Sequence, residues 1–311
     1  MSKYHFTTVA SSEYLFKMLV MYKSLLYHHK DFKLFVLCTD HKSYKMLSEL
    51  KLDKMVPIKL ETIEHYKLLN AKKNRSYMEY CWTCKPAVLY HVMKKYPNAQ
   101  YFAHVDADLC FFSSIDAVFN EKPDSLAFIT DHNNSNEFLN TYETSGRYNS
   151  GFFGCRNDPR ALMIVQWWKE HCIEWCYVVP DVNKRLYGDQ RFLEHMKERF
   201  DNIHVVKTKG ANGAHWNIKG FVLSLRNGEV YLNEDKLIFY HFSGFSIMEE
   251  DAFNISWLIR LDDNIVNMIY LPYMKLLAET IKEIQCNYSG FDKGFFRLPV
   301  DRVPQYYKLE K

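Results

Sequence analysis

The chain has 311 residues, 48% of them hydrophobic and 16% aromatic, which is enough to bury one large core or two modest ones. Its 40 basic and 37 acidic residues give a net charge of +3, which is too balanced to indicate a nucleic-acid partner from charge alone, and we expect none. The amino terminus lacks a basic stretch followed by an apolar run, and no segment is apolar for long enough to cross a bilayer. We therefore expect a cytoplasmic protein.

The first half of the chain alternates short apolar runs with amphipathic segments. A strand at residues 5–10, a helix ending near Tyr27 and a strand at 32–37 form a βαβ unit, in which the two strands run parallel. A helix near 42–50 and a strand near 55–60 continue the alternation. We therefore expect an α/β fold with a mostly parallel sheet and helices on both faces.

The second half continues this pattern less regularly. The next predicted helix covers 83–95 and has Pro86 in its first turn, a favourable position for proline. We expect one α/β domain over residues 1–246 and a helical C-terminal extension over 247–311. The other predicted elements are strands at 101–112, 128–131 and 147–155, helices at 159–177 and from Tyr187, a hairpin turn at Asn227-Gly228, and helical patterns within 252–284.

The tail at residues 291–311 mixes aromatic and basic side chains. Two interpretations of this composition remain open. The tail contacts an anionic membrane surface at the inner face of the membrane, or it is an ordinary packed terminus with solvated lysines.

Residues 101–112 read Tyr-Phe-Ala-His-Val-Asp-Ala-Asp-Leu-Cys-Phe-Phe. In this stretch, Asp106 and Asp108 follow a mostly apolar run and are separated by one residue. Two charges beside a buried strand are costly, because each carboxylate loses its hydration and the two repel each other. A divalent cation would neutralise the pair, and carboxylate oxygens suit Mg²⁺ or Mn²⁺. The alternative is that both aspartates cap a turn after the strand.

The eight cysteines mostly lie in apolar surroundings, as small hydrophobic residues do in a reducing compartment. Cys81 and Cys84, combined with Cys172 and Cys176, are a possible zinc site. Against that alternative, the second pair has helical spacing and no glycines flank the first.

In an open α/β sheet, ligands bind outside the carboxyl ends of the strands, and polar residues follow several predicted strands here, at Thr8–Ser12, Thr39-Asp40 and Asp106/Asp108. The chain has neither a Gly-x-Gly-x-x-Gly motif nor a P-loop. A nucleotide bound without a glycine-rich loop needs a metal to meet its diphosphate charge, and the aspartate pair would supply that metal site.

Six segments in order make a specific resemblance. The segments are Thr7-Thr8-Val9-Ala10, Lys85-Pro86, Asp106-Ala107-Asp108, Asn149-Ser150-Gly151-Phe152-Phe153, Gly188-Asp189-Gln190 and His241-Phe242-Ser243-Gly244. With these segments, the chain resembles the GT-A-fold nucleotide-sugar glycosyltransferases over about residues 4–246, and within them the glycogenin and lipopolysaccharide galactosyltransferase group.

The resemblance implies a role for each matching residue. Asp106 and Asp108 would bind Mn²⁺, or Mg²⁺, together with His241, which would otherwise be a core histidine. One departure concerns the last segment: no lysine follows soon after Gly244, which puts phosphate contacts there in doubt. The remaining implied contacts are Thr8, Ala10 and Ser11 with the uracil and ribose, and Lys85 with donor phosphate or sugar hydroxyls.

The resemblance also implies a reaction centre. Asp189 and Gln190 would lie at the donor sugar, Asn149 would bind sugar hydroxyls, and Trp216 would recognise the acceptor. The structural alternatives are a helix cap for Asp189 and a solvated helix-start residue for Lys85.

The expected function is transfer of a hexose from a nucleotide-diphosphate donor, a UDP-sugar, to a glycan or other hydroxyl acceptor in polysaccharide biosynthesis. The departing phosphate can accept the acceptor's proton on the same face, which retains the anomeric configuration; the alternative is inversion with Asp189 as the base. Two other functions stay open. A sugar-nucleotide nucleotidyltransferase would normally show a glycine-rich loop, which is missing between Thr8 and Lys17, and a catalytically silent carbohydrate-binding protein would not need the metal residues.

Overall fold

Strands and helices alternate along most of the chain in the computed structural model, which describes residues 2–310. The strands are β1 (Ser2–Ala10), β2 (Phe32–Cys38), β3 (Met55–Lys59), β4 (Ala99–Val105), β5 (Leu109–Phe111), β6 (Ala127–Asp131), β7 (Tyr148–Arg156), β8 (Ile203–Val206), β9 (Ala211–Ala214), β10 (Leu223–Arg226), β11 (Glu229–Leu232), β12 (Asp235–Lys236), β13 (Phe239–His241), β14 (Ser246–Ile247), β15 (Ala252–Asn254) and β16 (Tyr306–Lys308). The α-helices are α1 (Leu15–His28), α2 (His41–Leu50), α3 (Tyr66–Lys72), α4 (Tyr77–Lys95), α5 (Asp116–Asn120), α6 (Tyr142–Ser145), α7 (Pro159–Glu174), α8 (Phe192–Arg199), α9 (Asp263–Ile265) and α10 (Leu271–Asn287).

Seven strands form one sheet in the order β3-β2-β1-β4-β7-β6-β8. Among these described strands, β7 alone runs antiparallel to its neighbours, β4 and β6, while the other pairs are parallel. The prediction of an α/β fold with a mostly parallel sheet is therefore confirmed.

The contacts group the chain into two units. The first contains the residues up to Ser11, Lys30–Asp106 and Asp116–Thr208, and it holds the seven-stranded sheet. The second contains Ser12–His29, Ala107–Ile115 and the residues from Lys209 onward, and it holds three small sheets, β5-β13-β9, β10-β11-β12 and β14-β15-β16. The expected boundary at residue 246, between the α/β domain and the C-terminal extension, stays a prediction.

The core of the first unit lies where α4 and α7 pack together on the sheet. Trp168 of α7 is fully buried, and its ring lies 4.9 Å from that of Phe153 on β7. Its indole N–H donates a hydrogen bond to the carbonyl oxygen of Asp189, 2.9 Å away. The core thus fixes the backbone of a predicted site residue.

Helix α4 begins earlier than the sequence suggested, at Tyr77 instead of residue 83. Ser76 accepts a hydrogen bond from the Glu79 backbone while the Glu79 side chain accepts one from the Ser76 backbone, and this capping box fixes the start. Pro86 therefore lies inside the helix, and its placement in a first turn was wrong.

Two other predicted helices also differ. The helix predicted from Tyr187 begins at Phe192, because the residues before it form a turn in which Gly188 has a φ of +50°. The helical pattern predicted from residue 252 starts as the strand β15, and helix follows only from Asp263. The hairpin at Asn227-Gly228 joins β10 to β11 as expected.

The tail is packed at two places in the second unit. β16 pairs antiparallel with β15, and Phe291 is buried. None of the described helices combines the length and the apolar composition that crossing a bilayer requires.

The cysteines carry no zinc site in the part of the chain that the structure describes. All eight are free thiols, and the group of ligand-type side chains that the described residues offer to a metal ion contains no cysteine. Cys81 and Cys84 lie within α4, where the helix packs on the sheet.

Candidate active site

Asp106 follows the last residue of β4, in the first unit. Its backbone N–H donates a 2.8 Å hydrogen bond to the carbonyl oxygen of Gly151 on β7, so the pairing with that antiparallel strand fixes the end of β4. The residues of β4 before it are almost all buried, while Asp106 itself is half-buried. The apolar strand therefore delivers one carboxylate to the rim of the sheet.

Lys85 reaches this carboxylate from α4. Its ammonium lies 2.8 Å from Asp106 Oδ1 and 3.6 Å from Asp189 Oδ2, and the residue is only 6% exposed. The alternative of a solvated helix-start lysine is therefore wrong. The Lys85 ammonium is thus shared by Asp106 and Asp189, which lie 83 residues apart in the sequence. Two carboxylates that are largely shielded from water need such a cation to offset their charge.

Asp189 is 3% exposed and faces Lys85. Burial raises the pKa of the Asp189 carboxyl above its ordinary value, although the Lys85 ammonium opposes the shift. The alternative of a helix cap is wrong, because the residue before α8 is Arg191 and no side chain caps that helix. A buried acid with a raised pKa beside a single cation is typical of functional sites.

His104 is a site residue that the sequence analysis missed. It is fully buried on β4, with Nε2 3.2 Å from Asp106 Oδ1 and Nδ1 3.2 Å from Thr7 Oγ1. Burial lowers the pKa of His104, against the opposing effect of Asp106. A neutral His104 that donates from Nε2 orients the carboxylate, while Nδ1 accepts from the Thr7 hydroxyl. Successive side chains of a strand point to opposite faces, so residues 104 and 106 are on the same face. This alternation was the sequence signal that could have identified His104.

Asn149 and Gln190 are brought together. Asn149 Nδ2 donates to Gln190 Oε1 at 3.0 Å, and Gln190 Nε2 donates to the Ser145 carbonyl oxygen at 2.8 Å. Asn149 Oδ1 accepts from the Gly151 backbone at 3.0 Å. Both amides are therefore held in fixed orientations close to the start of β7.

The end of β1 carries the residues predicted to hold the nucleoside. Thr8, Ala10 and Ser11 are all buried, and the Thr8 hydroxyl has no hydrogen-bond partner within the described residues. The carbonyl oxygen of Ala10 accepts a 3.1 Å hydrogen bond from the Thr39 backbone at the end of β2. A buried hydroxyl without a partner is costly unless a ligand supplies one.

In the second unit, Asp108 and His241 lie against each other. Asp108 Oδ1 is 3.1 Å from His241 Nε2. The antiparallel pairing of β5 with β13 sets this contact, because it places His241 opposite Leu109 and lets the Phe242 N–H donate to the Asp108 carbonyl oxygen at 2.9 Å. The ring of Trp216 packs edge-on against His241, with 5.3 Å between centroids.

A carboxylate oxygen beside an imidazole nitrogen is a donor set that can bind a divalent cation. Asp106 and Asp108 are separated in the sequence by Ala107 alone. The residues present thus fit a divalent cation.

Comparison with solved structures defines the class of fold. The chain is similar to the galactosyltransferase LgtC, solved in complex with donor and acceptor sugar analogues, with a TM-score of 0.54 and 9% identity over 96% of this chain and 98% of LgtC. It therefore has the GT-A fold, as the resemblance in the sequence led us to expect.

Sequence comparison defines the family. The chain belongs to the family of the uncharacterized proteins YfnD and YfnF of Bacillus subtilis (strain 168). It is 43% identical to YfnD over 311 residues, which is 100% of this chain and 99% of YfnD. It is 30% identical to YfnF over 297 residues, which is 92% of this chain and 96% of YfnF. No protein-family profile matches the chain.

Proposed function

We propose that the chain is a metal-dependent glycosyltransferase that moves a hexose from a UDP-sugar to a hydroxyl group of a glycan acceptor. The single observation that carries this proposal is the Asp108–His241 contact of 3.1 Å, found at the Asp-x-Asp motif of a chain with the GT-A fold. One fold can accommodate several chemistries, so we infer the activity from the side chains and not from the fold alone.

In this proposal, Asp106, Asp108 and His241 would hold Mn²⁺ or Mg²⁺, as the family resemblance implies. Such an ion would supply Lewis-acid stabilisation for the negative charge of the departing diphosphate. His104 contributes by orienting the Asp106 carboxylate through its 3.2 Å contact, as groups behind metal ligands commonly do.

Other residues of the chain bind and orient the substrates. Asp189 and Gln190 would stabilise the positive charge that develops at the anomeric carbon, and Lys85 would hold the Asp189 carboxylate in place. The donor phosphate can take the acceptor's proton on the same face, so we propose retention of configuration, with inversion by Asp189 as the alternative. The remaining proposed contacts are Thr8, Ala10 and Ser11 with the nucleoside, Asn149 with sugar hydroxyls and Trp216 with the acceptor.

We also propose a catalytic domain over residues 1–246, a cytoplasmic location, a role in polysaccharide biosynthesis and, through the tail, contact with the inner face of the membrane. The tail part of this proposal concerns only its exposed residues, because Phe291 is buried and Tyr306–Lys308 is paired in a sheet.

A screen of nucleotide sugars tests the proposal. Many transferases slowly hydrolyse their donor, so we expect release of UDP and free hexose from one UDP-hexose, in the presence of Mn²⁺ and not with EDTA. NMR of the released sugar gives its anomeric configuration at first appearance. A retained anomer supports the front-face route, and an inverted one supports Asp189 as a base. Absence of both hydrolysis and UDP binding across the screen would refute the proposal, whereas formation of a nucleotide sugar from a nucleoside triphosphate would indicate a nucleotidyltransferase.

Replacing His241 with alanine should weaken Mn²⁺ binding about 10- to 100-fold, because one nitrogen ligand is lost and Asp108 loses its neighbour. The change is measured by titrating Mn²⁺ against the thermal transition of the protein in the presence of UDP. His65→Ala is the matched control, since His65 is exposed on the surface. An unchanged titration would make His241 a core residue.

A further inference from the structure

A cavity of about 560 Å³ lies within the second unit. Its walls include Tyr14, which precedes α1, Lys17 of α1, Asp108, Phe245 and the segment Asp292–Arg297. The volume is in the range of sites that hold small ligands. Because the proposed metal residue Asp108 is part of its wall, whatever occupies the cavity would lie beside the cation.

The C-terminal wall of this cavity is built tightly onto α1. Phe16 packs edge-on against Phe291, with 5.3 Å between ring centroids, and at 5.8 Å from Phe295. Gly294 has a φ of +90°, and a Cβ at this position would lie 2.2 Å from the Glu13 carbonyl oxygen, so only glycine allows this close approach. The cavity is therefore a formed feature of the fold.

Lys17 brings a positively charged group to the cavity. Its ammonium donates a 2.7 Å hydrogen bond to the Phe245 carbonyl oxygen and lies 5.1 Å from the centre of the Tyr14 ring. Within residues 2–310 it has no carboxylate at ion-pair distance, whereas Lys23 on the same helix pairs with Glu283 at 2.6 Å. Burial lowers the pKa of Lys17, and Asp108 opposes the shift. A partly buried ammonium bonded to a neutral carbonyl is stabilised when an anion binds beside it.

The other charged side chains of the cavity wall are paired with another residue or exposed to solvent, so Lys17 is the wall residue placed to bind an anion. Asp292 pairs with Arg297, Lys293 is exposed, and Asp108 contacts His241. The remaining acid of the wall, Glu13, is exposed to solvent.

We propose that Lys17 binds a phosphate group beside the metal residues, in the cavity that α1 forms with the C-terminal segment. This rests on the proposed function, and the phosphate has two chemical sources, the diphosphate of the donor or a phosphate carried by the acceptor. The Lys17 ammonium and a cation held at Asp108 would together balance the charge of a phosphate group.

Isothermal titration of the full chain with UDP, uridine and glycerol 1-phosphate, all with Mn²⁺, tests the proposal. We expect Lys17→Gln to weaken UDP binding at least about tenfold through loss of one charge-assisted hydrogen bond, and to leave uridine binding unchanged. Lys17→Arg should keep most of the affinity. Lys23→Gln, which removes a cation from the same helix, should behave as the wild type.

The three ligands separate the outcomes. A loss of glycerol 1-phosphate binding in Lys17→Gln with UDP binding unchanged would support Lys17 and assign the phosphate to the acceptor. Wild-type affinity of Lys17→Gln for both phosphate compounds would overturn the inference and leave the proposed function standing. Failure of the wild-type chain to bind either phosphate compound would overturn both.

Discussion

Replacing Asp108 with asparagine should lower metal-dependent sugar transfer about 1,000-fold while the protein stays folded. The expected loss has the size seen when a group that stabilises transition-state charge is removed. Folding should survive for two reasons. The asparagine can still hydrogen-bond to His241, and the bond from the Phe242 N–H to the backbone carbonyl of residue 108 does not depend on the side chain.

The measurement is the initial rate of transfer, or of donor hydrolysis, over a Mn²⁺ titration with circular dichroism as the folding check. Asp201→Asn is the matched control, because it makes the same change at an exposed residue of a surface turn. A variant at position 108 that kept near-normal rates, and kept them in EDTA, would show that this carboxylate binds no catalytic metal.

The sequence predicted those parts of the site that local pattern controls. The period of apolar residues predicted the βαβ unit at the start of the chain, and the strand before Asp106 was evident from its mostly apolar composition. The direction of β7 was not predictable in this way. Whether a strand joins a sheet parallel or antiparallel depends on which neighbours it pairs with, and here those neighbours are β4 and β6.

The residues that the sequence analysis missed are those whose partners are remote in the chain. His104 looks like one more residue of a buried strand until the pairing of β1 with β4 places Thr7 beside it. Lys17 looks like a solvated residue of an amphipathic helix until Phe245 is found 2.7 Å away. Neither contact has a local signature, because it arises from packing between segments separated by tens to hundreds of residues.

In the tail, composition suggested a surface function for a segment that also contains residues packed in the fold. Aromatic and basic residues alternate there, as in segments that contact membranes. Phe291 nevertheless fills space beside Phe16, and the segment around Gly294 forms a wall of the Lys17 cavity. Removal of the whole tail would therefore test folding and ligand binding together with any membrane contact.

Replacing Asp189 with asparagine should separate activity from stability. We expect transfer to fall about 100- to 1,000-fold, because the amide carries no charge to stabilise the developing cation at the sugar. The same change should not destabilise the fold at neutral pH. Burial raises the pKa of Asp189, so ionising this carboxyl in the folded state costs free energy that an uncharged amide of the same shape does not.

The sign of the pH dependence follows from the raised pKa. An acid whose pKa is higher in the folded state contributes stability below its unfolded pKa and loses that contribution as the pH rises through its folded pKa. The melting temperature of Asp189→Asn relative to the wild type should therefore increase from acidic to neutral pH.

The variant Lys85→Met supplies the comparison. It leaves Asp106 and Asp189 without their shared cation and should lower stability, and adding Asp189→Asn to it should recover part of the loss without restoring activity. Near-normal transfer by Asp189→Asn would remove Asp189 from the reaction centre, and a lower melting temperature at neutral pH would show that the ionised carboxylate stabilises the fold.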